Sequence, residues 1–146
     1  MPKVLKIKIF VISTLILFFS VTCRKDSFKF PNVNVYASLD LISDLGTLGS
    51  GGIKIYPPYQ YGDVGGLIIY LDYDGNYYAF DAACTYDYTD KCYVKKSDID
   101  GFLVCPCCKS TFQLYSDGND VFKGPARYPL VQYQAFVNGG VLIVRN

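Results

Sequence analysis

Apolar and polar positions alternate along most of this chain with a period of two, in short runs. Val33, Val35, Ala37, Leu39 and Leu41 share one side of an extended segment, the pattern of a strand with one buried face. Residues 42–52 form a Gly/Ser-rich connection with one helical turn around residues 43–45, and residues 53–56 make another short strand before Pro57-Pro58. From Gly65 onward the chain reads as hairpins. Runs 67–71 and 77–80 flank Asp74-Gly75, runs 93–95 and 102–104 flank Asp100-Gly101, run 112–115 precedes Asp117-Gly118, and runs 131–136 and 141–144 flank Asn138-Gly139-Gly140. Asp-Gly and Asn-Gly supply the positive φ angles of tight hairpin turns. Short, evenly spaced strands of this kind predict an all-β antiparallel sandwich or small barrel.

Composition supports that reading and removes several functions. All 13 acidic residues are Asp, none is Glu, and Gly (13), Tyr (14) and Phe (10) are abundant, a set poor in helix formers. There is no His, which excludes a Ser-His-Asp or Cys-His nucleophile and any metal site that needs imidazole. A net charge of +1 and tyrosines without interleaved basic residues give no reason to expect a nucleic-acid partner. The tyrosines read as half-buried strand and turn residues, and no small-molecule substrate is indicated.

The N-terminus carries a different signal. Lys3, Lys6 and Lys8 precede an apolar stretch at 9–19, and the 15 uncharged residues between Lys8 and Arg24 would span about 22 Å as a helix, short of a bilayer core. The segment reads as a secretory leader. Ser20-Val21-Thr22-Cys23 resembles the lipobox of bacterial lipoproteins, although Ser20 stands where Leu is usual and Thr22 where a small residue is usual. That resemblance implies a signal peptide over 1–22, lipidation at Cys23, a tether to residue 32, and a domain over 33–146 held on the membrane of a bacterial cell envelope, facing the periplasm or the exterior. Without Lys3, Lys6 and Lys8 the side chains number 11 basic against 13 acidic, a net of −2.

Apart from Cys23 there are five cysteines, an odd number that cannot all pair within the domain. Cys84 and Cys92 bracket one inter-strand loop, and Cys105, Cys107 and Cys108 crowd another. Two such loops on neighbouring hairpins form a pincer suited to a metal.

The sequence Cys105-Pro106-Cys107-Cys108-Lys109-Ser110-Thr111-Phe112 resembles the second cluster-binding box of Rieske [2Fe-2S] domains, Cys-Pro-Cys-His-Gly-Ser. Cys84-Thr85-Tyr86 resembles the first box, Cys-Thr-His, and Gly124-Pro125-Ala126 resembles the proline loop that covers the cluster. The resemblance covers residues 65–146, more diffusely from 33. It implies a Rieske-like fold with a two-loop cluster-binding subdomain, and an electron carrier with a redox protein partner rather than a stand-alone enzyme. Cys84 and Cys105 match the two thiolate ligands of one iron. Tyr86 and Cys108 occupy the two positions where the family has its His ligands. The family's inter-loop disulfide would correspond to Cys92 with Cys107.

With that disulfide formed, Cys84, Cys105 and Cys108 remain as ligands and Tyr86 could complete the set as phenolate; without it, Cys92 could be the fourth ligand. Ser110 matches the residue whose hydroxyl bonds a bridging sulfide, and Gly124 and Pro125 belong to the cover. Lys109 replaces a Gly. Two alternatives stay open: a cluster-free binding or structural module with Cys84 and Cys105 joined, or a thiolate-rich Zn²⁺ site.

Overall fold

The computed structural model describes residues 28–116 and 118–146. The leader and Cys23 lie outside the described residues. The strands are β1 (Tyr36–Asp40), β2 (Ile53–Ile55), β3 (Leu67–Leu71), β4 (Tyr77–Asp81), β5 (Lys95–Lys96), β6 (Phe102–Val104), β7 (Thr111–Tyr115), β8 (Gly118–Lys123), β9 (Gln132–Asn138) and β10 (Val141–Arg145). Six make a sheet in the order β1-β10-β9-β4-β3-β2, and four make a smaller one, β5-β6-β7-β8. Every strand pairing is antiparallel.

The expected alternation of the first strand is realised, with Ala37 and Leu39 buried and Tyr36, Ser38 and Asp40 exposed. β3 departs from it, because four of its five residues are buried. The reason lies in the two cores. Ile68 and Tyr70 join Phe80, Leu103, Phe112 and Leu130 in the core shared with the small sheet. Leu67 and Ile69 point the other way, into a core with Ala37, Leu39, Leu142 and Val144. A strand covered on both faces has no polar side to show.

Three of the hairpin turns fall at the Gly positions read from the sequence, with φ of 87° at Gly75, 76° at Gly101 and 58° at Gly139, whereas Gly118 opens β8 without a positive φ. The 43–45 turn also forms, its amides at Ile42 and Ser43 capped by Asp40 Oδ1 at 2.9 and 2.8 Å. β8 has no counterpart in the hydrophobic pattern. It begins Gly-Asn-Asp, which reads as turn, and a register irregularity at Thr111/Phe112 disturbs its pairing with β7.

Asp81, at the end of β4, is fully buried. Its carboxylate accepts hydrogen bonds from the amides of Val64 (2.8 Å), Gly65 (2.8 Å) and Ala83 (2.7 Å) and from the Tyr133 hydroxyl (2.6 Å). One group thus ties the 63–66 loop, β9 and the chain leading to Cys84. Gly65 is required there, since a Cβ would stand 2.1 Å from the Ala83 nitrogen.

Tyr133→Phe removes one of these bonds and should cost about 2 kcal/mol in urea unfolding. Burial, reinforced by the bond to Asp81, raises the Tyr133 phenol well above its ordinary pKa of 10. The folded state therefore favours the protonated form; this contribution is complete below about pH 10 and is lost as pH rises beyond it. The wild-type urea midpoint should fall more steeply than that of Tyr133→Phe across that alkaline range.

Candidate metal centre

Three loops meet above the shared core. The first leaves β4 through Ala82 and Ala83, carries Cys84, Thr85, Tyr86 and Asp87, turns through a 3-10 segment (Tyr88–Asp90), and returns at Cys92. Its ends are held by the Ala83–Tyr93 bridge and by the Cys84 amide donating to the Cys92 carbonyl at 2.9 Å. The second loop joins β6 to β7 and is closed by the Cys105 amide on the Ser110 carbonyl (2.8 Å) and the Lys109 amide on the Cys105 carbonyl (3.0 Å). The third, 124–130, lies over the second.

Cys92 and Cys107 are joined by a disulfide across the first two loops, with Cα atoms 6.3 Å apart. Cys84, Cys105 and Cys108 are free thiols. The ligand atoms of these three and a carboxylate oxygen of Asp87 all lie within 4.8 Å of one another. Cys84 Sγ is 3.6 Å from Cys108 Sγ, and Cys105 Sγ is 4.0 Å from Asp87 Oδ2 and 3.6 Å from Cys92 Sγ.

Burial pushes the Cys84 thiol up to about 12, while the Tyr86 and Asp87 amides, directed at its sulfur, pull the other way. Burial raises Cys108 as well, opposed by hydrogen bonds from Ser110. Burial thus favours the protonated thiols in the metal-free fold, while the backbone donors already aimed at Cys84 sulfur are placed to support a thiolate. A bound cation would supply the charge that makes thiolates favourable there and would use the same amides.

Ser110 links the second loop to its cover. Its hydroxyl oxygen lies 3.1 Å from Cys108 Sγ and accepts from the Ala126 amide at 3.0 Å. Gly124, at φ 108°, passes so close that a Cβ would fall 2.5 Å from Ser110 Cα. Thr85 ties the first loop to the third by donating to the Tyr128 carbonyl at 2.6 Å. Pro125 lines a cleft of about 610 Å³ with Phe28, Tyr86, Arg127 and Tyr128.

The structure therefore brings together Cys84, Cys105, Cys108 and Ser110 and sets Gly124 and Pro125 over them. Of the two residues considered as a completing donor, Cys92 is held in the disulfide, and Tyr86 is 56% exposed in the cleft wall. Asp87, which the sequence pattern does not single out, adds a carboxylate oxygen to this group.

The segment entering the domain also reaches this end. Phe28 stacks on Tyr128 with centroids 4.9 Å apart and meets Tyr88 edge-on at 6.0 Å, while the Tyr88 hydroxyl donates to the Lys29 carbonyl at 2.9 Å.

No family model matches the chain, and no curated protein matches it. Among solved structures it resembles a chain of the complex of reduced oxygenase and oxidized ferredoxin in carbazole 1,9a-dioxygenase, at 18% identity and a TM-score of 0.50, over 76% of this chain and 93% of that one. The ferredoxin of carbazole 1,9a-dioxygenase from Nocardioides aromaticivorans IC177 aligns at 19% identity and a TM-score of 0.44, over 78% of this chain and 97% of its own. At such identity the likeness is one of fold: this is an all-β, Rieske-like domain. Its loop tips carry a thiol-rich group of donors.

Lys109 stands at φ 61°, in the left-handed region, where the Rieske box has Gly. Its ammonium donates to the Pro106 carbonyl at 2.7 Å. Lys109→Gly should relieve the strain and raise the unfolding free energy by about 1 kcal/mol. Gly124→Ala should lower it by about 2 kcal/mol or more, since both the φ and the approach to Ser110 exclude a methyl group. Paired thermal or urea unfolding measures both.

Proposed function

We propose that this protein is a one-electron carrier whose [2Fe-2S] cluster is held by Cys84, Cys105 and Cys108 together with a fourth donor from the same loops. The observation that carries the reading is the convergence of three free thiols on paired loops of a Rieske-like fold, while the two remaining described cysteines are spent in a disulfide. The donors suit the group in kind, since Cys thiolates are the usual holders of iron-sulfur clusters. They also suit it in number, because four donor atoms approach one another.

When bound, such a cluster accepts and releases one electron. The chain's own residues do the rest. The Tyr86 and Asp87 amides stabilise negative charge on Cys84, the disulfide and the Thr85–Tyr128 bond keep the loops from parting, and the 124–130 loop limits water. Anionic donors in place of both imidazoles favour the oxidised state. The potential should lie below the roughly −150 to +300 mV of His-ligated centres, toward about −400 mV, and lack their titration near neutral pH.

A redox protein partner belongs to this reading; the solved neighbour is itself a complex of oxygenase and ferredoxin. We further propose anchoring through a lipidated Cys23 on the bacterial cell envelope, facing the periplasm or the exterior. Cys23 lies five positions before Phe28, so the anchor would hold Phe28, which packs against Tyr88 and Tyr128, within about 18 Å of the bilayer surface. Zinc is the second reading, favoured by one distance: the 3.6 Å between Cys84 and Cys108 sulfurs is near the edge of about 3.8 Å that a tetrahedral site with Zn–S bonds of about 2.3 Å requires.

Protein purified without oxygen should contain about two irons and two acid-labile sulfides per chain and show a low-temperature EPR signal on reduction, with Cys84→Ala or Cys105→Ala losing all three. Zinc in place of iron would establish the second reading, and two disulfides with no metal would establish a binding or structural module. Cys23→Ser should move the protein from the membrane fraction to the soluble one.

A further inference from the structure

We propose that the carboxylate of Asp87 is the fourth protein ligand, so that the centre is bound by three thiolates and one carboxylate. The inference rests on the iron-sulfur reading and supplies the donor which that reading leaves open.

Asp87 immediately precedes the 3-10 segment Tyr88–Asp90. Its backbone is fixed there, since its carbonyl accepts from the Asp90 amide at 3.1 Å and from the Cys92 amide at 3.4 Å. The side chain is half-buried, and its oxygen lies within 4.8 Å of all three free sulfurs. Position and chemistry agree, because a carboxylate offers two acceptor oxygens to a cation. Carboxylate is a common iron ligand in other sites.

The rival donors are otherwise engaged. Cys92 is bonded to Cys107, and Ser110 already accepts from Ala126 and lies against Cys108. The Tyr86 side chain is more than half exposed and lines the cleft beneath the 124–130 loop. The amide of Asp87 is also among those directed at Cys84 sulfur, so a single residue would serve two donor positions, one through its backbone and one through its side chain.

An S₃O set makes the two ends of a [2Fe-2S] centre chemically unequal, and that inequality can be read without any activity assay. The full chain, purified without oxygen as wild type, Asp87→Ala, Asp87→Cys and Tyr86→Phe, should be compared by iron and sulfide content, visible absorption and EPR. Asp87→Ala should lower cluster occupancy about tenfold. Asp87→Cys should keep iron and sulfide while moving the absorption bands to longer wavelength and changing the g values. Tyr86→Phe should match wild type.

Circular dichroism of the metal-free proteins separates a lost ligand from a lost fold, and if Asp87→Ala fails to fold, Asp87→Cys carries the test through its spectra. Full occupancy with unchanged g values in Asp87→Ala, or unchanged spectra in Asp87→Cys, would overturn the assignment of Asp87 while leaving the electron carrier standing. An iron-free wild type would overturn the carrier itself. Should that wild type hold zinc, the Asp87 assignment survives only if Asp87→Ala weakens zinc binding by about tenfold.

Discussion

The buried carboxylate of Asp81 is the interaction on which the rest of the structure depends. Burying a charge costs several kcal/mol unless hydrogen bonds replace its water, and four donors from three parts of the chain do so here. Each donor is thereby fixed. The 63–66 loop is drawn close enough that Gly65 passes against the Ala83 backbone, β9 is tied to β4 through Tyr133, and the chain toward Cys84 leaves β4 in one direction only. Cys84 stands three residues beyond Asp81. A clamp at the last residue of β4 therefore sets where the first thiol begins, before any loop interaction acts.

Side-chain length matters in this arrangement. Asp81 accepts from the amide two residues on, Asp72 from the amides two and four on, Asp63 from the amide three on, and Asp40 from those two and three on. These are the short reaches of Asx-type turns, which a Glu carboxylate overshoots. A chain that organises its loops this way has a structural reason for acidic residues that are all Asp. In Asp72 the opposing effects are visible: burial disfavours the charge, but the bonds from Asn76, Ser116 and Asp74 outweigh it and hold the carboxyl below its usual range.

Sequence periodicity made the hairpins legible because Asp-Gly and Asn-Gly mark turns independently of tertiary context. It missed β8, where pairing with β7 draws Gly118, Asn119 and Asp120 into a strand that their turn propensity opposes. The two faces of β3 were equally invisible, since an apolar run does not say what covers each side. In the site, Cys84, Cys105 and Cys108 could be named because their loops resemble the cluster-binding boxes of Rieske domains. Asp87 could not, because its value comes from a turn that folds its carboxylate back toward Cys105. An aspartate in a loop that already contains Asp90 carries no mark of that direction in sequence.

The departures from the Rieske pattern are best understood together. Tyr86 and Cys108 stand where the resembled pattern has imidazoles, and the loops around them are held by the inter-loop disulfide, Ser110 beneath the cover, and the close passage of Gly124. Lys109 shows how firmly that backbone is held, since the loop keeps a left-handed residue even where a side chain opposes it, aided by the bond from its ammonium to Pro106. A loop retained against local strain acts as a rigid template, and substitutions upon it change donor chemistry without changing position. On the proposed reading Cys108 is such a change. The side chain of Tyr86 lines the cleft, and in the proposed assignment the next residue, Asp87, supplies the donor. That assignment would give a four-donor set without imidazole, so the fold would keep the site while altering the charge it places around whatever it holds.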